Sequence, residues 1–417
     1  MKSGARPFPV LVACSMLVAP PGALGQETVR RVSLAEALEA FAANSLALKI
    51  ARSETAGLTG AARQSRAYFN PALSLGRDDL SHQDEKMWEE TLLVLQQVEW
   101  PARTAARGRA ATHTIGAATA RLRADSISLA FEVREAYVRA WFAEETESVL
   151  RRTASVIQSV ADDAEIRLAA GDISAYEARR LRLERVQVEL ELEEAGLIAR
   201  DARRGLAVLI APGSDVEEIG PSEGLEGVPA IITRETAMAV LPQRPDVEAA
   251  ARELDAARAG VQVAQSYWVP DPTLGIGYRH HDDGFGGASF ALDVSMPLFD
   301  RGVGTREEAA ARSSAAAYRL DLRTEMAALD VLLASDRYAS SRSRLETAAP
   351  GLQADGEALL VSATAAYAQN EMTLVELLDA ASAFRSAQLS ALALAAEAWV
   401  SYYDLLRAIG GAPEEER

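Results

Sequence analysis

The sequence is written twice, and that constrains the fold more than any single motif. Asn70-Pro71-Ala72-Leu73-Ser74-Leu75-Gly76 returns as Asp271-Pro272-Thr273-Leu274-Gly275-Ile276-Gly277. "VEWPARTAARGRAA" from Val98 returns as "MPLFDRGVGTREEAA" from Met296, and "RLAAGDISAYE" from Arg167 returns as "AYAQNEMTLVE" from Ala366. The three intervals are 201, 198 and 199 residues. Ahead of the prolines, "SLAEALEAFAANSLAL" parallels "TRETAMAVLPQRPDVEAA". Shared composition would not preserve order and spacing; a tandem duplication does.

Each copy has one plan. A helix, about Leu34–Tyr68 or Arg234–Trp268, leads to a strand, a loop and a second strand. A very long helix follows, then a tight turn and a helix running back. The first repeat is residues 26–210, with a β-hairpin over about 71–99 and a helical hairpin over about 102–210. The second is residues 233–410, with a β-hairpin over about 272–297 and a helical hairpin over about 303–409. Residues 211–232, rich in Gly, Pro and Glu, read as an exposed linker, and 411–417 as an acidic tail.

No proline lies between Pro101 and Pro212. A helix from about Arg103 to Ala170 would reach roughly 100 Å at ~1.5 Å per residue, longer than a globular domain is wide. Leu122, Leu129, Val133, Ala136, Ala140 and Ala143 form a stripe along it, with small residues that suit close helix packing. Gly171 and Asn370 mark the turns, since both residue types tolerate positive φ. Ser174 and Thr373 then read as N-caps of the returning helices. The second long helix contains Pro350, which predicts a kink.

Pro71 and Pro272 stand where helix hands over to strand. In the second copy Phe290, Leu292, Val294 and Met296 alternate with Ser289, Ala291, Asp293 and Ser295, whereas the first copy's "TLLVLQQV" sorts poorly into faces. Two readings fit: strands with lipid on one side and water on the other, or a small soluble sheet packed on helices. Trp88 and Tyr278 would serve the first as interfacial aromatics. No later stretch reaches the ~18–20 apolar residues of a membrane helix. Four strands in lipid would leave unpaired edges, so several chains would have to share one barrel.

Residues 1–25 read as a secretory signal: basic "MKSGAR", a short apolar stretch, and the small-x-small site Ala23-Leu24-Gly25. The single cysteine, Cys14, lies inside it. It reads as an ordinary apolar residue of the signal or, in the tetrad Leu11-Val12-Ala13-Cys14, as an acylated N-terminus. Neither reading leaves a partner for an internal disulfide.

A formal charge of −17 argues against nucleic acid, which needs clustered cations. The sequence has no GxxxxGK[ST] loop, no HExxH and no paired CxxC. No nucleophile–base pair stands out, so neither enzymatic activity nor a cofactor is expected. His280-His281-Asp282-Asp283 reads as a solvated loop, because neighbours on a strand end point to opposite sides.

Three runs in this duplicated order, "RPDVEAAARELDAARAGVQVAQSYWVPDPTL", "PLFDRGVG" and "AYAQNEMTLVELLDA", resemble the outer-membrane factor family, the TolC-like channels of efflux pumps and type I secretion. "QQVEWPARTAARGRAA" resembles the metal-efflux branch that includes CzcC and CusC. The resemblance implies a mainly α fold with a small β part. Long helical hairpins would form a periplasmic α-barrel, and four strands per chain would join a shared 12-stranded β-barrel in a homotrimer. It implies a passive outer-membrane conduit whose partners are outer-membrane lipid, a periplasmic adaptor (membrane fusion) protein and an inner-membrane transporter of RND type. The family's entrance motif TxVDVLDA is matched by "TLVELLDA", which places Glu376 and Asp379 at a periplasmic aperture, with Glu in place of the first Asp. Arg167, Gly171, Ser174, Asn370 and Thr373 match the tips where adaptors dock, with Asn370 in place of the usual glycine. Polypeptide secretion is the alternative within the family; a soluble periplasmic coiled-coil scaffold is the alternative outside it.

Overall fold

A computed structural model describes residues 29–82, 85–213, 218–225, 227 and 229–411. The signal with Cys14 and most of the acidic tail lie outside the described residues.

The first copy begins with β1 (Arg30–Val32), α1 (Leu34–Asn44) and α2 (Leu46–Gln64). The expected single helix is therefore two. Ser45 leaves the helical region (φ −52°, ψ 123°) and its Oγ accepts the Leu48 N–H at 3.3 Å, capping α2. Then come β2 (Ala72–His82), β3 (Glu85–Gln97), α3 (Pro101–Ala170) and α4 (Ala175–Ile210). Next is β4 (Ile219–Pro221), which pairs in parallel with β1. Its residues are buried, so this part of the linker is not the exposed connection its composition suggested. The pairing joins segments far apart in the chain and has no local signature.

The second copy supplies α5 (Arg234–Ala239), α6 (Pro245–Gln265), β5 (Thr273–His281), β6 (Gly286–Asp293), α7 (Val303–Ala368) and α8 (Leu374–Ala408). Here too the leading helix is split, with a 3-10 turn at Leu241–Gln243 and Pro245 opening α6. The 66 residues of α7 include Pro350.

The 70 residues of α3 span about 105 Å at ~1.5 Å each. It packs against α4, α6 and α8, and α7 packs against α6 and α8. There is no single core. Apolar clusters are strung along the helices, the tip end gathering Ile157, Leu181, Leu360, Leu377 and Phe384. Buried alanines such as Ala117, Ala120, Ala140 and Ala391 let the backbones approach closely. Midway, the buried guanidinium of Arg244 pairs with Asp246 (2.7 Å) and Asp330 (3.2 Å), and Arg407 joins Asp330 at 3.0 Å, tying α6, α7 and α8 together. Among the described residues no helix is long and apolar enough to cross a membrane.

Candidate functional site

The four strands form one antiparallel sheet in the order β2-β3-β5-β6, so the central β3–β5 pair joins the two copies. Directly opposite residues share a face. One row therefore reads Leu73, Val94, Ile276, Phe290, and the next Leu75, Leu92, Tyr278, Ala288. Leu274 and Leu292 extend the same face. Their large apolar side chains are exposed, Leu75 at 78% and Phe290 at 77%. The opposite face carries Ser74, Leu93, Gly277 and Ser289, then Gly76, Thr91, Arg279 and Gly287, with Asp293 and Gln97 either side of Thr273 below. In these rows one side is apolar and the other is small or polar apart from Leu93 and Leu95; toward the loop that second face also carries the Leu80–Met87 pair.

Those two leucines explain why the first copy's return strand looked undecided. Leu93 pairs with Gly277 and Leu95 with Gly275. A Cβ on Gly277 would lie 1.8 Å from the Leu92 carbonyl oxygen, and one on Gly275 would lie 2.8 Å from Leu95 Cδ2. Glycine here is a requirement of close strand approach.

Aromatic side chains bracket the apolar face. At the helix–strand junctions Tyr68, Phe69, Trp100, Tyr267, Trp268 and Phe299 are all exposed. At the other end stand Tyr278, Phe285 and Trp88; Trp88 carries the Arg77 guanidinium 5.0 Å from its ring centroid and meets His280 edge-on at 5.6 Å. Two aromatic belts around an apolar band are the pattern of a bilayer-spanning sheet. The sequence singled out Trp88 and Tyr278, which lie at one end of the sheet, and passed over the belt at the other end, although its members sit within three residues of Pro71, Pro101, Pro270 or Pro297.

Between belt and helices, a buried network crosses from one copy to the other. Arg103, in the first turn of α3, forms an ion pair with Asp271. It also donates to Ser266 Oγ (3.0 Å) and to the carbonyls of Ser266 and Val269 (both 2.7 Å). The Trp100 N–H donates to Asp271 Oδ1 at 3.0 Å, and the Val98 N–H to the Pro272 carbonyl at 2.8 Å. Pro71 precedes β2 as Pro272 precedes β5.

At the far end the two turns lie side by side. Gly171 ends α3 at φ 82°, and Asn370 follows α7 at φ 57°. Arg167 Nη1 donates to Asn370 Oδ1 at 2.7 Å, pairs with Asp163 at 2.8 Å, and stacks 5.3 Å from the Tyr367 ring. Arg167 and Asn370 are thus brought into contact. Ser174 and Thr373 each close a capping box, with Glu177 and Glu376. Glu376 Oε2 accepts from the Thr373 N–H (2.9 Å) and hydroxyl (2.8 Å). Hydrogen bonds from the Thr373 backbone, then from its hydroxyl, hold the Glu376 carboxyl below the usual range, so it stays ionised into mild acid. Asp379 lies exposed one turn on. Both carboxylates therefore share one solvent-facing side of α8, and Glu376 has a capping duty that the sequence motif alone did not reveal.

His281 Nε2 is 3.7 Å from Glu89, while His280 lies on the opposite face, opposite Glu90. No group of three metal-ligating side chains occurs among the described residues.

Residues 238–411 match the family model described as outer membrane efflux protein. The chain is 26% identical to the cobalt-zinc-cadmium resistance protein CzcC of Cupriavidus metallidurans over 362 residues, 85% of this chain and 84% of that one. Its fold is similar to the solved structure of CusC (TM-score 0.75, 18% identity, 92% of this chain and 94% of that one). It is likewise similar to the CmeC outer membrane channel of Campylobacter jejuni (TM-score 0.77, 17% identity, 92% and 87%).

Proposed function

We propose that this chain belongs with the outer membrane efflux proteins, is the outer-membrane channel component of a tripartite efflux system, and works as one third of a passive trimeric conduit. The observation that carries this reading is the two-faced sheet. Its apolar rows suit lipid, its opposite face suits a water-filled lumen, and its open edges β2 and β6 require neighbours. Three chains of four strands close a 12-stranded barrel, within the known range of outer-membrane barrels. The helical hairpins then continue the tunnel through the periplasm toward an adaptor and an inner-membrane transporter of RND type. Movement is driven by the transporter, so the chain needs no catalytic group.

At the tips, Arg167, Gly171, Ser174, Asn370 and Thr373 form the adaptor-docking rim. Glu376 and Asp379, repeated three times, form a ring of carboxylates at the aperture that favours cations. The likeness to a cobalt-zinc-cadmium resistance protein favours divalent metal cations as cargo. Cell fractionation tests the reading. The protein should stay in the outer membrane after a carbonate wash and run as a trimer in mild detergent. Release by carbonate would identify a soluble scaffold instead.

A further inference from the structure

The duplication makes one seam of the assembly visible inside a single chain. Within the chain, β3 of the first copy pairs with β5 of the second. Among the described residues β2 and β6 have no second neighbour. By sequence β3 corresponds to β6 at an interval of 198 and β5 to β2 at 201. The internal pairings agree: Ala72 faces Leu95 and Thr273 faces Asp293, so Leu95 and Asp293 are equivalent.

We propose that β6 of one copy pairs with β2 of a second copy in the register transposed from the internal seam, with Asp293 opposite Ser74 and Leu292 opposite Leu75. This rests on the conduit reading above and specifies how the copies meet. Leu95 opposite Gly275 becomes Asp293 opposite Ser74; Val94 opposite Ile276 becomes Leu292 opposite Leu75; Thr91 opposite Arg279 becomes Ser289 opposite Asp78. Leu292 with Leu75 and Val294 with Leu73 keep apolar residues together on the lipid side, and Asp293 with Ser74 and Ser289 with Asp78 keep polar residues together on the lumen side; nearer the loops Phe290 meets Arg77 and Ala288 meets Asp79. A one-residue slip would invert both faces, which excludes odd shifts.

The helices give the same answer. Inside the chain α3 packs on α6 and α8. Its counterpart α7 would pack on α2 and α4 of the second copy. Those outer helices carry unburied apolar side chains in one chain: Tyr176, Leu183, Leu190 and Leu197 at seven-residue intervals on α4, and Tyr318 and Leu322 on α7.

The seams differ in one respect. Arg103 and Asp271 form the buried ion pair inside the chain, whereas their equivalents are Arg301 and Asn70. Both equivalents are exposed, and neither side chain has a partner among the described residues. Across copies Asn70 supplies a neutral acceptor to Arg301, so this seam lacks the ion pair of the internal one and is the weaker of the two.

Disulfide trapping tests the register. The internal Val98 N–H to Pro272 carbonyl bond makes Gln97 and Thr273 a non-hydrogen-bonded pair, and Leu95 with Gly275, two residues on, is another. The equivalent Asp293–Ser74 pair should have the close Cβ approach a disulfide needs. Within one chain β2 and β6 are three strand spacings apart, roughly 14 Å, so a bond between them must join two copies. Full-length protein carrying Asp293→Cys with Ser74→Cys, Ala72→Cys or Gly76→Cys is oxidised in detergent, beside each single-cysteine variant. The Ser74 pair should give a covalent ladder up to trimer, well ahead of the other two. Faster linkage at Ala72 or Gly76, or a detergent trimer that none of the pairs links, overturns the register and leaves the conduit standing. A monomer in mild detergent overturns the conduit reading itself. Asn70→Asp, which restores the internal chemistry, should raise the temperature at which the trimer dissociates; an unchanged or lowered temperature contradicts the Arg301–Asn70 contact.

Discussion

The two copies keep one backbone plan and spend charge differently. Where the first copy starts its second helix with a neutral cap, Ser45, the second has Asp246 in a buried network with Arg244 and Arg323. Where the first has Asn70, the second has Asp271, held by Arg103. Six residues beyond the tip cap, the first has Arg180 and the second Asp379. Turns, caps and strand–helix junctions are what duplication preserved, because backbone geometry demands them. Ionic contacts diverged according to what each copy meets.

The largest test of that contrast is Asp271→Ala against Asn70→Ala. Removing Asp271 strands the buried Arg103 guanidinium and should cost about 3–5 kcal/mol, whereas Asn70→Ala should cost less than about 0.5 kcal/mol within a subunit. Denaturant unfolding of the two variants in detergent measures the difference. Next come the sheet faces. Leu75→Arg and its counterpart Ile276→Arg should each destabilise the inserted protein by ~2–4 kcal/mol, with Ser74→Arg nearly neutral. Equal losses at Leu75 and Ser74 would dissolve the distinction between faces.

Ser174→Ala and Thr373→Ala should cost the same, about 1 kcal/mol each, because both copies use the same capping box. Limited proteolysis at the tips reports it. Glu376→Gln separates the two duties of that residue: it keeps an acceptor for the cap but removes charge, so with Asp379→Asn it should weaken cation block of single channels without loosening the tip. Unchanged block would remove both residues from the aperture.

Acid should also divide the copies. Burial pushes the Asp246 carboxyl upward, but hydrogen bonds and charge from Arg244, with Arg323 beyond, outweigh it and hold the group below its ordinary range. Its contribution is therefore present above the unfolded carboxylate range and is lost as pH falls through the lower folded value. Asp246→Asn should be less stable than the parent at neutral pH, with the gap closing in acid. Ser45→Ala should show no such pH dependence.

The repeat, the long helices and the turns were legible because each rests on local chemistry: proline-free length, positive-φ residues, caps. The faces of "TLLVLQQV" were not, because Leu92, Leu93, Val94 and Leu95 are nearly interchangeable alone. Only pairing with Gly275 and Gly277 assigns Leu93 and Leu95 to the face opposite the apolar rows. The breaks at Ser45 and Leu241–Gln243 and the β1–β4 bridge were hidden for the same reason, being decided by distant partners or by competition between helix and cap. At the tips, the motif drew attention to the charge of Glu376 and missed its hydrogen bonds.

The central claim is that one face of this sheet meets lipid and the other meets water. A single fluorophore placed at Leu75→Cys, Ile276→Cys, Ser74→Cys or Ser289→Cys in reconstituted protein tests it directly. Brominated lipid should quench the label at 75 and 276 and spare it at 74 and 289, with aqueous iodide giving the reverse. Iodide quenching at all four positions, with no effect of brominated lipid, would contradict a membrane-spanning sheet.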